Sequence, residues 1–233
     1  MLKEMNRREF MKASAATGAV IMTGNLSSAI AQELKPIQLL KPQIEGGRPL
    51  MQVLKDRKSI RAYSAEKLPL QVLSNLLWAA FGINRPESGR RTAPTGANRQ
   101  NIDIYVAIEE GVYIYDAKAH MLNLVLAEDV RSISGRQQFE WQQKMVPLDD
   151  APVNLIYVAD FSKHTKINEL VLYLAFAHTG FISQNVYLYC ASEGLATVVR
   201  LWFDKDALEK KLGLRRDQYA TLVQSLAYPK KTS

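Results

Sequence analysis

The sequence predicts an α+β fold in which helices flank a central sheet, mixed or antiparallel. Three observations favour this class. Strand-type segments joined by a tight turn occupy the middle of the chain, helical and strand-type segments alternate after them, and residues 168–193 form one long apolar helical segment. A chain of 233 residues, 47% of them hydrophobic, is long enough for one such domain behind a leader segment.

Residues 1–31 are predicted to be an export signal. Arg7 and Arg8 precede an uncharged stretch that ends in Ala29-Ile30-Ala31, a cleavage pattern of small residues around one larger residue. Paired arginines before a mildly apolar region are typical of the twin-arginine pathway, which leads to the bacterial periplasm. The stretch is too polar to be a good membrane anchor. After the signal is removed, we expect no stable membrane insertion of the protein. The alternative is a basic N-terminus that merely resembles a signal.

After the leader, the sequence predicts an arm, two helices and a strand meander. Residues 32–47 lack periodicity and are interpreted as an extended arm, followed by the main domain over 48–233. Apolar residues at helical spacing predict a short helix from Pro49 to Asp56 and a second from Pro69 to Gly82. Turn residues dominate 84–100 and predict an ordered loop. Alternating apolar residues predict strands over 102–108, 112–115 and 121–126.

The second half of the chain alternates between strands and helices. Residues 131–148 are polar and are interpreted as a cover over the site. The short apolar run 153–158 predicts an inner strand. Asn168 and Gly194 bound the long helix, which is apolar nearly all round and is therefore predicted to be buried. Polar residues interrupt it and disfavour a membrane span. The rest predicts a strand over 196–202, a helix between Asp204 and Gly213, and a strand over 220–227.

Composition excludes several classes of function. The formal charge of +7 is spread along the chain among acidic residues, which disfavours a nucleic-acid partner and favours a local anion site. The single cysteine, Cys190, allows no intramolecular disulfide and is predicted to be a buried, inert thiol. The histidines have no metal-ligand spacing, so we predict no structural zinc; they are His120, His164 and His178. His178 is expected to be a core residue.

One basic cluster follows the first short helix. Arg57, Lys58 and Arg61 place three cations within five residues, and Ser59 adds a hydroxyl. Guanidinium groups bind phosphate through two hydrogen bonds and lysine adds a point charge, so the cluster suits a phosphorylated cofactor. On spacing alone, a solvated basic helix end is the other interpretation.

A second polar segment lies farther along the chain, over residues 90–100. It combines the rigid turn at Pro94 with the hydroxyl of Thr95 and the amide of Asn98. Such groups suit the edge of a flavin ring, which needs both hydrogen-bond donors and acceptors. The same composition is common in ordinary loops, so the segment alone is not specific.

The order of these motifs resembles the nitroreductase family, over about residues 48–231. The hairpin Gly111–Asp116 is most similar to the branch related to the thiazoline and oxazoline dehydrogenases. The motifs that carry the resemblance are Arg57-x-Ser59-x-Arg61, Ala93-Pro94-Thr95 leading to Asn98 and Gln100, Gln184-Asn185 on the long helix, Gly194-Leu195-Ala196-Thr197 and Tyr228-Pro229-Lys230. The resemblance implies a three-layer fold, and an FMN-binding homodimer with active sites at the subunit interface.

The resemblance also implies roles for individual residues. Arg57 and Lys230 would bind the FMN phosphate, and Lys58 and Ser59 the phosphate or ribityl chain. Arg61 would lie near the pyrimidine edge of the ring, where positive charge stabilises the reduced flavin. The remaining contacts to the ring are expected from Pro94, Thr95 and Asn98, and from the strand through Val199 and Arg200, which would bring a main-chain N–H near the flavin N5 atom.

The chain departs from the family pattern at three points. Gly96 stands where serine or alanine is common, which predicts a looser loop. Ala227 replaces a common glycine before Tyr228-Pro229, so a tight backbone approach is not expected there. The lysine–tyrosine pair of the azoline dehydrogenases is not identified in this sequence, so that reaction is not carried over.

The function expected from the resemblance is FMN-dependent oxidoreduction. The flavin would exchange two electrons as a hydride at N5 with a small-molecule redox substrate in ping-pong fashion, with no catalytic residue and no metal. Since NAD(P)H is a cytoplasmic pool, the donor outside the cytoplasm is expected to be an oxidised substrate, a quinone or a redox partner. Two alternatives stay open: an exported flavin- or anion-binding protein without turnover, and a basic exported domain that binds acidic polymers.

Overall fold

The computed structural model describes residues 35–135, 151–162, 164 and 166–231. The predicted leader therefore lies outside the described residues, as does most of the predicted cover, residues 136–148. The helices are α1 (Leu50–Asp56), α2 (Leu70–Phe81), α3 (Arg131–Gly135), α4 (Glu169–Glu193) and α5 (Lys205–Leu212). The strands are β1 (Ile37–Gln38), β2 (Ile83–Arg85), β3 (Arg90–Arg91), β4 (Ile102–Ile108), β5 (Gly111–Asp116), β6 (Met121–Leu126), β7 (Val153–Asp160), β8 (Ala196–Arg200) and β9 (Gln218–Ala227).

Seven strands of the described part form one antiparallel sheet in the order β1-β6-β5-β4-β7-β9-β8. The strands β4, β5 and β6 form the predicted meander. Helix α4 then carries the chain from β7 to the far edge of the sheet, and β9 returns to the gap between β7 and β8. This return places the C-terminal residues after β9 beside the edge strand β8.

Two apolar clusters, one on each face of the sheet, give the fold its three layers. Helices α2 and α4 cover one face, where Leu76, Ile182 and Val186 are completely buried. On the opposite face, Leu208 of α5 packs in a second cluster with Val130, next to α3. The predicted α+β class, with helices flanking the sheet, is therefore confirmed.

The long helix α4 has the ends that its sequence predicts. At its start the Asn168 Oδ1 atom accepts a hydrogen bond from the Val171 N–H at 3.0 Å. It ends at Gly194, whose φ of 70° lies in the left-handed region that favours glycine. The predicted burial of α4 on all sides is wrong for one stripe, whose members are Leu170, Tyr173, Leu174 and Phe181, exposed by 64, 62, 37 and 47%. Because α4 is apolar all round, its sequence does not mark which side the rest of the chain leaves uncovered.

Short elements account for the other differences from prediction. Residues 84–100 are not all loop, since β2 pairs with β3 and a 3-10 turn follows at Gly96–Asn98. Strands of two or three residues produce no alternation that a sequence pattern would reveal. Strand β8 ends at Arg200, so the predicted last two residues, Leu201 and Trp202, leave the sheet with exposed side chains. Within the described ranges, no helix combines the length and apolarity that crossing a membrane requires.

Candidate functional site

The hydroxyl of Tyr187 joins three elements at the edge of the sheet. Tyr187 lies on α4, and its Oη atom accepts a hydrogen bond from the Val199 N–H of β8 at 2.9 Å. The same oxygen lies 3.0 Å from Ser59 Oγ, in the segment that follows α1. Its ring contacts the guanidinium of Arg57, with 5.3 Å between the Cζ atom and the ring centroid, which is a cation–π contact. Tyr187 thereby fixes the start of the basic segment, defined here as Arg57–Arg61.

Main-chain hydrogen bonds hold the rest of this segment between β8 and the C-terminus. The Ile60 N–H donates to the Thr197 carbonyl at 3.0 Å, along the free edge of β8. Immediately after the segment, the Lys230 N–H donates to the Ala62 carbonyl at 3.1 Å. The structure therefore brings Lys230 next to the basic segment, although the two are far apart in sequence.

The cations gathered here have no carboxylate partners in the part of the chain that the structure describes. The predicted phosphate ligands take part in none of its ion pairs; they are Arg57, Lys58, Arg61 and Lys230. The neighbouring carboxylate of Asp56 instead pairs with Arg48, whose hydrogen bond lowers the pKa of Asp56. Lys55 and Lys58 also act electrostatically on Asp56, but the basic residues outnumber this carboxylate, and an excess of positive charge at one place favours binding of an anion.

A cavity of about 400 Å³ opens beside the basic segment. It is lined by Lys55, Asp56 and Lys58, by Tyr187, and by the residues at the end of α4. The two lysines of this wall, together with the Arg57 guanidinium over the Tyr187 ring, offer donors to the acceptor oxygens of a phosphate. The donor set therefore suits a phosphorylated ligand.

The second predicted segment forms a strained, internally bonded loop. Ala97, Asn98 and Gln100 have φ values of 52, 52 and 48°, in the left-handed region that costs free energy for residues other than glycine. Side chains hold this shape, since the Gln100 N–H donates to Thr95 Oγ1 at 3.0 Å and the Gln100 amide donates to Asn98 Oδ1 at 3.0 Å. Pro94 and Asn98 are exposed at its surface. Strained, pre-formed loops of this kind are common at ligand sites.

His178 of α4 anchors this loop from below. Its Nε2 atom accepts a hydrogen bond from the Gly96 N–H at 2.8 Å, and its Nδ1 atom lies 2.8 Å from Asn101 Oδ1. These partners assign the proton to Nδ1. Burial lowers the pKa of the imidazole, and electrostatic interactions with Arg99 and His164 lower it further. Gly96, which the sequence predicts to loosen the loop, also supplies the main-chain N–H through which the loop is held to His178.

The two groups of predicted residues lie on different sides of α4. Tyr187 contacts the basic segment and His178 contacts the Pro94–Asn98 loop. Nine residues separate these side chains along α4, which corresponds to about 13 Å and to about two and a half turns. The exposed stripe of α4 ends between them. The structure thus gathers each half of the predicted site, but it does not bring the halves together in one chain.

The last two predicted contacts lie on β8. The Val199 N–H donates to the Tyr187 hydroxyl. Arg200 is 2% exposed and lies on the sheet face that α3 and α5 cover, where its guanidinium donates to Asn154 and Ser225 at 3.0 and 2.6 Å. Burial lowers the pKa of Arg200 to about 10. Strand alternation turns the Arg200 side chain into this buried face of the sheet.

Sequence reasoning did not identify Tyr187, and it assigned His178 only a core role. Both residues are buried members of an apolar helix, which is the usual place for aromatic and imidazole side chains in a core. Their spacing of nine residues carries no recognised motif. Their importance arises from what lies opposite them, namely the edge of β8 in one case and the loop after β3 in the other.

Comparison with known proteins identifies the family. Residues 54–228 match the model of the nitroreductase family, and residues 4–24 match the twin-arginine translocation signal sequence. A protein of Methanocaldococcus jannaschii assigned as a nitroreductase is 32% identical over 181 residues, which cover 74% of this chain and 88% of that protein. The chain belongs to the nitroreductase family of oxidoreductases and carries a twin-arginine signal, as the sequence resemblance predicted.

Solved structures support the same fold. A crystal structure from Ralstonia eutropha JMP134, also assigned as a nitroreductase, is 37% identical and superposes with a TM-score of 0.76, covering 85% of this chain and 91% of that chain. A chain of the Escherichia coli microcin synthetase McbBCD complex superposes with a TM-score of 0.63 at 17% identity, covering 99% of this chain and 85% of that chain. The second likeness concerns the fold alone.

Proposed function

We propose that this protein is an FMN-dependent oxidoreductase that acts on a small-molecule redox substrate. The observation that carries the proposal is the basic segment, held against the edge of β8 and beside Lys230, with cations that have no carboxylate partner in the described part of the chain. Membership of a family of oxidoreductases indicates the class of reaction. The anion site is the reason to expect a phosphorylated flavin.

The residues of the site fit such a cofactor. The guanidinium of Arg57 and the ammonium groups of Lys58 and Lys230 would neutralise the phosphate, and Ser59 would hydrogen-bond to it or to the ribityl chain. Arg61 would favour negative charge on the pyrimidine edge of the ring. Bound FMN would accept two electrons as a hydride and return them to a second substrate. The protein's part is to bind, orient and shield the ring, which explains why we assign no nucleophile or general base.

We further propose that the active protein is a homodimer packed along α4. The exposed apolar stripe extends from Leu170 to Phe181, and its last member lies between His178 and Tyr187, the two side chains that hold the two halves of the site. A two-fold axis near Phe181 would set the Pro94–Asn98 loop of one chain beside the basic segment of the other. The two halves that lie apart in one chain would then complete each other across the interface.

The place of action follows from the leader. A twin-arginine signal directs folded proteins out of the cytoplasm, so we propose that the enzyme works in the bacterial periplasm after loading FMN inside the cell. FMN binding stabilises the folded state before transport. Since NAD(P)H is a cytoplasmic pool, the electron donor is proposed to be a substrate undergoing oxidation, a quinone or a redox protein.

The experiment is the visible spectrum of the purified protein, followed by anaerobic reduction. We expect a yellow protein, or one that turns yellow and retains flavin when FMN is added and excess is removed. Dithionite should bleach the bound flavin, and NADH serves as the comparison donor. Protein that stays colourless after reconstitution would overturn the proposal. Tight FMN binding with no turnover by quinones or small organic donors would favour a flavin-binding role without catalysis.

A further inference from the structure

We propose that Tyr187 is a positioning residue that sets the protein's preference for a phosphorylated flavin over an unphosphorylated one. The inference rests on the proposed function, because it assigns to Tyr187 a role towards the FMN phosphate. Tyr187 itself carries no charge and is 7% exposed, so it acts through the residues it holds.

The geometry indicates how Tyr187 would act. Its hydroxyl accepts from the Val199 N–H, which leaves the hydroxyl proton and the second lone pair for the bond to Ser59. This one oxygen thus ties the segment after α1 to β8. Strand β8 is a rigid reference, since it pairs with β9 along its whole length. Ser59 and its cationic neighbours are thereby fixed relative to the sheet.

The ring of Tyr187 contributes a second, separable effect. Its contact with Arg57 holds the guanidinium over the ring, and Tyr187 also lines the cavity beside Lys58. Arg57 has no carboxylate partner among the described residues, so this contact and the backbone are what orient it. A phenylalanine at this position would retain the cation–π contact and lose the hydroxyl bridge. The Tyr187→Phe variant therefore isolates the bridge between Ser59 and Val199.

The consequence concerns the phosphate rather than the ring system of the ligand. FMN and riboflavin share the isoalloxazine ring and ribityl chain and differ only in the phosphate. If Tyr187 aligns the phosphate-binding segment, its hydroxyl matters far more for FMN than for riboflavin. A residue that only stabilised the fold would change both affinities together.

The test compares FMN and riboflavin binding to the full chain by flavin fluorescence titration. We expect Tyr187→Phe to weaken FMN binding about three- to tenfold, the usual effect of losing one hydrogen-bonded group. Riboflavin binding should change less than twofold, so the FMN-to-riboflavin affinity ratio falls by at least about 1.5-fold. Tyr189→Phe is the matched control, because it removes a hydroxyl from the same helix whose contact is the Val72 carbonyl at 3.4 Å. Its ratio should equal that of the wild type.

Two further measurements keep the inference decisive. In a Ser59→Ala background, Tyr187→Phe should have a clearly smaller effect, because both changes break the same bridge. Should Tyr187→Phe fail to fold, Ser59→Ala alone is measured, and an unchanged affinity ratio in that variant overturns the inference. An unchanged ratio in a folded Tyr187→Phe protein overturns it as well. If the wild type binds neither flavin, the proposed function itself fails. If the wild type prefers FMN and Tyr187→Phe keeps the same preference, only the inference about Tyr187 fails.

Discussion

The imidazole of His178 accepts a hydrogen bond from the main-chain N–H of Gly96, with 2.8 Å between the two nitrogen atoms. This bond requires an unprotonated Nε2 atom, so the loop is held only by neutral His178. Protonation would set two N–H groups against each other in a site where His178 is 3% exposed. The anchoring of the Pro94–Asn98 loop is therefore coupled to pH.

The first prediction concerns stability against pH. Burial lowers the folded-state pKa of His178 below its usual value of 6.5, so the unfolded chain binds more protons between the two values. The stability contributed by neutral His178 is complete above pH 6.5 and is lost as pH falls through the folded-state pKa. Urea unfolding at pH 7.5 and 5.5 should show His178→Gln losing less stability than the wild type, by at most about 1.4 kcal/mol, the limit for one proton over one pH unit. His120, whose pKa burial also lowers, contributes to both proteins alike. Equal losses in the two proteins would contradict the prediction.

The second prediction concerns the phosphate contact. Arg57→Ala should weaken FMN binding at least tenfold, because a charge-assisted hydrogen bond contributes roughly 1.5–3 kcal/mol. Flavin fluorescence titration measures the dissociation constant directly. Arg216→Ala removes an exposed arginine from the turn before β9 and serves as the control for net charge. Unchanged affinity in Arg57→Ala would move the phosphate site elsewhere.

The third prediction concerns the homodimer. Phe181 is 47% exposed at the C-terminal end of the apolar stripe, near the proposed two-fold axis, so Phe181→Glu should convert a dimer to a monomer by burying a charge at the interface. Light scattering after gel filtration measures the mass. Val125→Glu adds the same charge at an apolar side chain that is 39% exposed on β6 and should leave the dimer intact. FMN binding should weaken together with dimerisation, since the halves of the site would come from different chains. A Phe181→Glu protein that remains dimeric would exclude this interface.

The fourth prediction concerns Cys190. This cysteine is completely buried on α4, and burial raises the pKa of its thiol well above the usual range. The thiolate is the form that attacks the disulfide of Ellman's reagent, so the native protein should not react over hours, whereas denatured protein should release one equivalent of the reagent's coloured thiolate per chain. A Ser88→Cys variant, with its second thiol on the exposed turn between β2 and β3, supplies the positive control. Rapid labelling of the native wild type would show that α4 opens locally.

The sequence by itself determined the elements with strong local signals. Pro69 and Gly82 bound α2, Asn168 and Gly194 bound α4, and alternation located the meander of β4 to β6. These signals are local because caps, breakers and side-chain periodicity act within a few residues. The order of motifs along the chain also sufficed to identify the family and the export signal, and it selected the basic segment as a candidate site.

Only the tertiary structure decided how that site is built. The return of β9 beside β8 brings Lys230 to Ala62, and the packing of α4 sets Tyr187 against Ser59 and Val199. Strand alternation turned Arg200 into the core, although its sequence position beside Val199 suggested a cofactor contact. No local pattern encodes these relationships, because each depends on which segments meet across the sheet. The same holds for the exposed side of α4, which becomes visible only when the rest of the chain has covered the other sides.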